Sequence, residues 1–288
     1  MSINTIYPQL MGLCLILVVS FIYGPIVMAQ PPEQALINAG GERISVPVSD
    51  INIDSWWFDV GPDIDGLKPA LIHIHGWSEE GIHTGRYSAI YARAFSAARN
   101  IVGLGITLRG WPDTGGENDC GLQQPSDISE IVDWLAVQPG IDPDRIGIVG
   151  ISQGGQVGLL AAAINRNIKS VVAFAPLTDV TTWHESTDLT EDMINEYVNG
   201  TCSAPGTKAD RSPIFVAEEI EANVLLLHGE ADERVSVTQS IAMHESLLAA
   251  GGNSTLITIP NAPHDPSAPE WDELATLERV WSWLDENL

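Results

Sequence analysis

The sequence predicts an α/β protein on a mostly parallel sheet with helices on both faces, and three observations lead there. Apolar runs recur at 69–75, 101–108, 145–151, 170–175, 223–228 and 255–259. Each is near-continuous rather than alternating, as in strands buried on both faces of a parallel sheet. Helical patterns separate the runs, so strand and helix alternate along the chain. With 288 residues, 44% of them hydrophobic, the chain can build a sizeable core.

From the N-terminus, no charged side chain precedes Glu33, and Leu10 to Met28 is almost wholly apolar. With small Ala29 near the end of V-M-A-Q, residues 1–29 read as a secretory signal peptide, which implies export to a periplasm or the medium. The same run, residues 10–28, is long enough to serve instead as a membrane anchor. The folded domain is expected over 30–288. Short β-rich stretches at 43–48 and 55–60 open it. A helix is expected at 87–99, and a second with Ser126 as its cap and Ile128, Ile131, Val132 and Leu135 on one face. Two more follow at 155–165 and at 237–250, the latter before a Gly251-Gly252 stop. The last, 270–288, carries Trp271, Leu274, Leu277, Val280, Trp281 and Leu284 on one stripe. Residues 178–221 hold no apolar run, and an insertion this long in a compact domain is expected to form a small cap over the strand ends.

The balance of 38 acidic against 13 basic side chains, net −25, repels phosphate backbones and anionic headgroups. Nucleic acid is therefore not an expected partner, and a membrane is one only if the N-terminal segment is retained. Past the leader, Cys120 and Cys202 remain, either paired in an oxidising compartment or as two free thiols. The His73/His75 pair and Asp63/Asp65 each lack a third ligand, so neither a metal nor a cofactor is expected.

In such sheets ligands bind outside the carboxyl ends of the strands. There stands Gly150-Ile151-Ser152-Gln153-Gly154, a G-x-S-x-G pattern where a strand run ends and a helix begins. A reversal that tight forces the serine toward disfavoured backbone angles and lifts its hydroxyl above the sheet. The following helix aims its first amides, that of Gln153 among them, at the same spot. A serine hydroxyl needs a base. His264, in N-A-P-H-D-P after the last strand run, is the candidate. The imidazole needs a carboxylate in turn, and Asp232, four residues past His228, is preferred over Asp179. His75-Gly76-Trp77 follows an early strand, and the amide of Trp77 is the expected second donor to an oxyanion. His73 and His75 read as structural.

Together these residues resemble the α/β-hydrolase family, whose chain order is Ser152…Asp232…His264. Further stretches are similar to the branch that contains dienelactone hydrolases and the catalytic domains of prolyl-oligopeptidase-like peptidases. They are H-G at 75–76, L-R-G-W-P-D-T-G-G at 108–116, D-P-D-R-I-G-I-V-G-I-S-Q-G-G at 142–155, R-S-P-I at 211–214 and H-G-E-A-D-E-R-V at 228–235. One departure is Leu108, where an aspartate usually precedes the arginine. The resemblance implies a serine hydrolase that forms an acyl-enzyme, and the leader-like segment adds the expectation of export. A small carboxylic ester is the expected substrate, with a short peptide, acyl transfer to an alcohol and non-catalytic binding as alternatives.

Overall fold

The computed structural model describes residues 31–61, 65–77, 85–185, 187, 189 and 208–288. Residues 1–29 and the middle of the 178–221 insertion, Cys202 included, lie outside them. Eight strands form one sheet: β1 (Gly41–Pro47), β2 (Asn52–Phe58), β3 (Lys68–Ile74), β4 (Val102–Ile106), β5 (Ile141–Ile151), β6 (Ile168–Phe174), β7 (Asn223–Gly229) and β8 (Ser254–Ile259). Their order is β1-β2-β4-β3-β5-β6-β7-β8. β1–β2 and β2–β4 are antiparallel pairs, and every pairing from β4 through β3 to β8 is parallel. A short α1 (Glu33–Asn38) precedes the sheet.

The near-continuous runs are explained by burial on both faces. Leu71, Val149, Val172 and Leu225 point to one side, where α2 (Gly85–Ala98) and α6 (Glu273–Asn287) bring Phe95, Trp281 and Leu284. Their neighbours Ile72, Ile148, Val171 and Leu226 point to the other, against α3 (Gln124–Ala136), α4 (Gln153–Ile164) and α5 (Thr238–Ala249). On α3 the expected stripe of Ile128, Ile131, Val132 and Leu135 is fully buried.

Two expectations need correction. Ser126 does not cap α3, which starts earlier, at Gln124 with Pro125 in its first turn. The Asp119 carboxylate instead accepts from the amides of Gly121, Leu122 and Gln123 at 3.1, 3.1 and 2.6 Å, which fixes the turn entering the helix. Leu274 is 56% exposed and does not join the buried stripe of α6.

Leu108 is buried, and the loop after it is held by Arg109 instead of an aspartate. The Arg109 guanidinium forks onto Asp127 at 2.8 and 2.7 Å and onto Asp50 at 3.0 and 2.7 Å. Within the 178–221 insertion the described parts are short 3-10 turns, Trp183–Glu185, Ala209–Arg211 and Pro213–Glu219. Among the described residues no helix is long and apolar enough to cross a membrane.

The chain runs from β3 to β4 on one side and then returns to β5 on the other. This reversal is the switch point at which open α/β sheets bind ligands, and Trp77 and Ser152 follow its two strands.

Candidate active site

β5 ends at Ile151 and α4 begins at Gln153, so one residue makes the reversal. Ser152 takes φ 54° and ψ −116°, a state that costs a non-glycine residue about 1–3 kcal/mol. Its amide donates to the Phe174 carbonyl at 2.8 Å, and its carbonyl accepts from the Gln156 amide at 3.1 Å. The sheet and the helix thus each hold one side of the strained residue. Gln153 is buried, and its side-chain amide donates to Gln124 Oε1 at 3.1 Å.

The segment after β3 approaches Ser152 closely. A Cβ on Gly76 would stand 3.3 Å from the Ser152 Cβ and 3.2 Å from the Ile151 carbonyl, so only glycine fits without displacement. The buried ring of His75 fixes this segment from two sides. Its Nδ1 bonds the Gly76 carbonyl at 2.9 Å, and its Nε2 accepts from the Leu108 amide at 3.0 Å. That pattern selects the Nδ1–H tautomer. Trp111 packs edge-on against the same ring at 4.9 Å.

His264 and Asp232 come from the loops after β8 and β7. The loops are stitched together by the Glu230 amide on the Ile259 carbonyl at 2.9 Å and the Ala231 amide on the Ala262 carbonyl at 3.0 Å. A Cβ on Gly229 would lie 2.2 Å from that Ala262 oxygen. Asp232 Oδ2 accepts from His264 Nδ1 at 2.7 Å, and Oδ1 accepts from the amides of Arg234 and Val235 at 2.9 and 2.8 Å. His228 Nε2 donates to the Val235 carbonyl at 2.7 Å and also lies 3.2 Å from Oδ2, while its Nδ1 meets Ser240 Oγ at 2.7 Å. Burial alone would raise the Asp232 pKa. The hydrogen bonds from His228 and His264, the charge of His264 and the Val235 amide outweigh it and hold the carboxyl well below the usual carboxylate range.

Ser152, Trp77 and His264 line one cleft of about 420 Å³, together with Tyr87, Arg234 and Pro266. A smaller pocket of about 30 Å³ shares Trp77, Ser152 and His264 with this cleft and is lined also by Gln153, Trp183 and Val235. Asp179 is elsewhere engaged, accepting from the Thr181 amide at 2.8 Å and from the hydroxyls of Thr181 and Thr182. His73 is buried in β3. Among the described residues no group of His, Cys, Asp or Glu is arranged to hold a metal. Sequence reasoning missed His228, which it read only as a strand end. Its place four residues before Asp232, in H-G-E-A-D, was the available signal.

A sheet of this order, with a strained serine at its switch point, has the α/β-hydrolase fold. Residues 93–288 match the prolyl oligopeptidase family of S9 peptidases, and the chain belongs to that family. The resemblance read from the motifs is thereby borne out. YuxL of Bacillus subtilis, named an uncharacterized peptidase, is 29% identical over 244 residues, which cover 76% of this chain and 35% of YuxL. A puromycin-hydrolyzing peptidase of Mycobacterium tuberculosis superposes with a TM-score of 0.74 at 20% identity, over 86% of this chain and 39% of that one. An acylaminoacyl peptidase of Pyrococcus horikoshii gives 0.69 at 18% identity, over 86% and 41%. The chain therefore spans about a third of the length of YuxL and about two fifths of these structures.

Proposed function

We propose that the chain hydrolyses a short peptide or peptide-like amide through an acyl-enzyme, with Ser152 as nucleophile, His264 as base and Asp232 as its partner. One observation carries the reading: His264, already bonded through Nδ1 to Asp232, shares a single cleft with the strained Ser152. That bond leaves Nε2 as the atom that takes a proton.

In this mechanism Ser152 Oγ attacks the carbonyl carbon while His264 Nε2 accepts the hydroxyl proton. The amides of Gln153 and Trp77 receive the negative charge that develops on the carbonyl oxygen. His264 then gives its proton to the departing nitrogen. Water attacks the acyl-enzyme by the same steps and returns the proton to Ser152. Asp232, kept ionised, favours the imidazolium that appears at each proton transfer. Arg234 at the cleft supplies a cation for a substrate carbonyl or carboxylate.

Family membership favours an amide over the ester expected from the sequence, because the relatives are named for peptidase activity. An ester would be opened by identical steps and is the second reading. Export is part of the proposal. Its supports are the leader-like residues 1–29 and the disulfide bond made by Cys120, a bond typical of oxidising compartments.

The test is a panel of aminoacyl and acylaminoacyl anilides and simple acyl esters, read against Ser152→Ala and with an added alcohol. We expect anilides to be cleaved and the variant, still folded, to lose activity by roughly a millionfold, the scale of a lost nucleophile. A folded variant with parental rates would refute the assignment. Product captured by the alcohol would indicate a transferase.

A further inference from the structure

Gln124 and Gln153 are the first residues of α3 and α4, and both are buried. Their side chains meet, with Gln153 Nε2 donating to Gln124 Oε1 at 3.1 Å. The direction of that bond is fixed from behind. Gln124 Nε2 donates to the Arg109 carbonyl at 3.2 Å and to Asn118 Oδ1 at 3.3 Å. A carbonyl only accepts, and Asn118 Oδ1 also accepts from the Cys120 amide at 3.1 Å. The Gln124 side chain therefore cannot turn over, and its oxygen must face Gln153. On the other glutamine, Oε1 is buried with no partner among the described residues. The bond to Gln124 is thus the only hydrogen bond that holds the Gln153 side chain there.

Two buried glutamines cost more to desolvate than two apolar residues of the same length, so the pair adds little to stability. What it supplies is direction, because a hydrogen bond holds one arrangement where an apolar contact allows sliding. Direction matters one residue away. Ser152 is strained, and such a backbone state lasts only where its surroundings hold it. If its ψ relaxed, the peptide between Ser152 and Gln153 would rotate, and the N–H of that peptide is an oxyanion donor in the mechanism above. The first turn of α4 is also seated tightly on the end of β3. A Cβ on Gly154 would stand 2.3 Å from the Ile74 carbonyl oxygen and 2.7 Å from that of His75. A shift of this turn would change the spacing between the Gln153 amide and the Trp77 amide that follows β3.

We infer that Gln124 is a positioning residue for the oxyanion donor. Through the Gln153 side chain it pins the first turn of α4, and with it the peptide N–H that receives the developing charge. The inference rests on the hydrolase reading above and assigns a role within it.

The test is a cycle of Gln124→Met, Gln153→Met and the double variant, assayed on whichever substrate of the panel the parent cleaves. Methionine keeps the length of the side chain and packs readily in a core. Each single variant should lower kcat by roughly tenfold, the scale of one buried hydrogen bond, with KM little changed. The double variant should melt above Gln124→Met, since no stranded amide remains at 153, yet keep the low kcat. A pair that only packed the helices together would regain stability and turnover at once. Should Gln124→Met fail to fold, the double variant decides the matter.

The second readout is inhibition by a peptidyl trifluoromethyl ketone. Ser152 Oγ adds to the ketone carbon, its proton passes to His264, and the ketone oxygen becomes the anion held by the two amides. Its Ki should rise by the factor that kcat falls, while the corresponding secondary alcohol, which forms no such anion, should bind as before. Parental kcat in the double variant, or unchanged ketone inhibition in Gln124→Met, overturns the inference and leaves Ser152 in its role. If the parent neither cleaves the panel nor binds the ketone, the hydrolase reading itself falls and takes this role with it.

Discussion

His228 and His264 meet on one atom. Both approach Oδ2 of Asp232, at 3.2 and 2.7 Å, from the end of β7 and from the loop after β8. His264 keeps one edge toward the cleft, whereas His228 is wholly enclosed between Asp232, Val235 and Ser240. His228 is thus a positioning residue for the carboxylate.

Replacing it should therefore act on turnover rather than on binding. His228→Phe is expected to lower kcat by roughly tenfold, the scale of a lost orienting hydrogen bond to a charged group, with KM little changed. His228→Gln, which can still donate to Asp232, should recover part of the loss. A KM effect with intact kcat would contradict the role.

The strain at Ser152 has a thermodynamic counterpart. Glycine at this position can adopt φ 54° freely. Ser152→Gly should raise the unfolding free energy by about 1 kcal/mol while abolishing turnover, the relief being set by the cost of such backbone states. Chemical denaturation of the two proteins measures it, and a less stable glycine variant would show that the turn is not strained.

Gly229 controls the spacing of the last two loops. In Gly229→Ala the new methyl would need the Ala262 carbonyl, 2.2 Å away, to move. The bond between Asp232 and His264 should lengthen, and kcat should fall by at least about tenfold through misplacement of the pair. Parental kinetics in a folded Gly229→Ala protein would argue that the loops adjust without cost.

Buried His73 predicts a pH dependence of stability. Its pKa is lowered to about 3 by burial, while an unfolded imidazole titrates near 6.5. Between these values the unfolded chain binds more protons, so acidification destabilises the fold, by up to about 1.4 kcal/mol per pH unit for one group. Asp232, held low, adds to this only below the ordinary carboxylate range: its contribution is complete above about pH 4 and is lost beneath it. The stability lost between pH 7 and pH 5 should be smaller in His73→Phe than in the parent by about 2 kcal/mol, as measured by denaturant unfolding. Equal losses would show that His73 is protonated in the fold.

Much of this was legible in the sequence because burial writes a plain signal. Strands covered on both faces read as unbroken apolar runs: six of the eight strands lie where those runs fall, within a few residues, and β1 and β2 lie at the two shorter β-rich stretches. Ser152 was legible because a one-residue turn demands small neighbours. What stayed hidden depends on three-dimensional partners. The start of α3 is set by Asp119 across a turn with Cys120 at φ 52°, which no local pattern announces. His228 looked like the end of a strand because an enclosed imidazole and an apolar residue occupy the same kind of place. The bond between Gln153 and Gln124 was invisible because the two residues open different helices, and a buried polar pair leaves no periodic mark in either.

The order of the sheet carries one more implication. Ser152 emerges from its centre, but Asp232 and His264 hang from β7 and β8, the last two strands at one margin. Marginal strands open before central ones. Mild heat or denaturant should then silence the protein while most of its tertiary structure persists, and a ligand that bridges the cleft should protect that flank first.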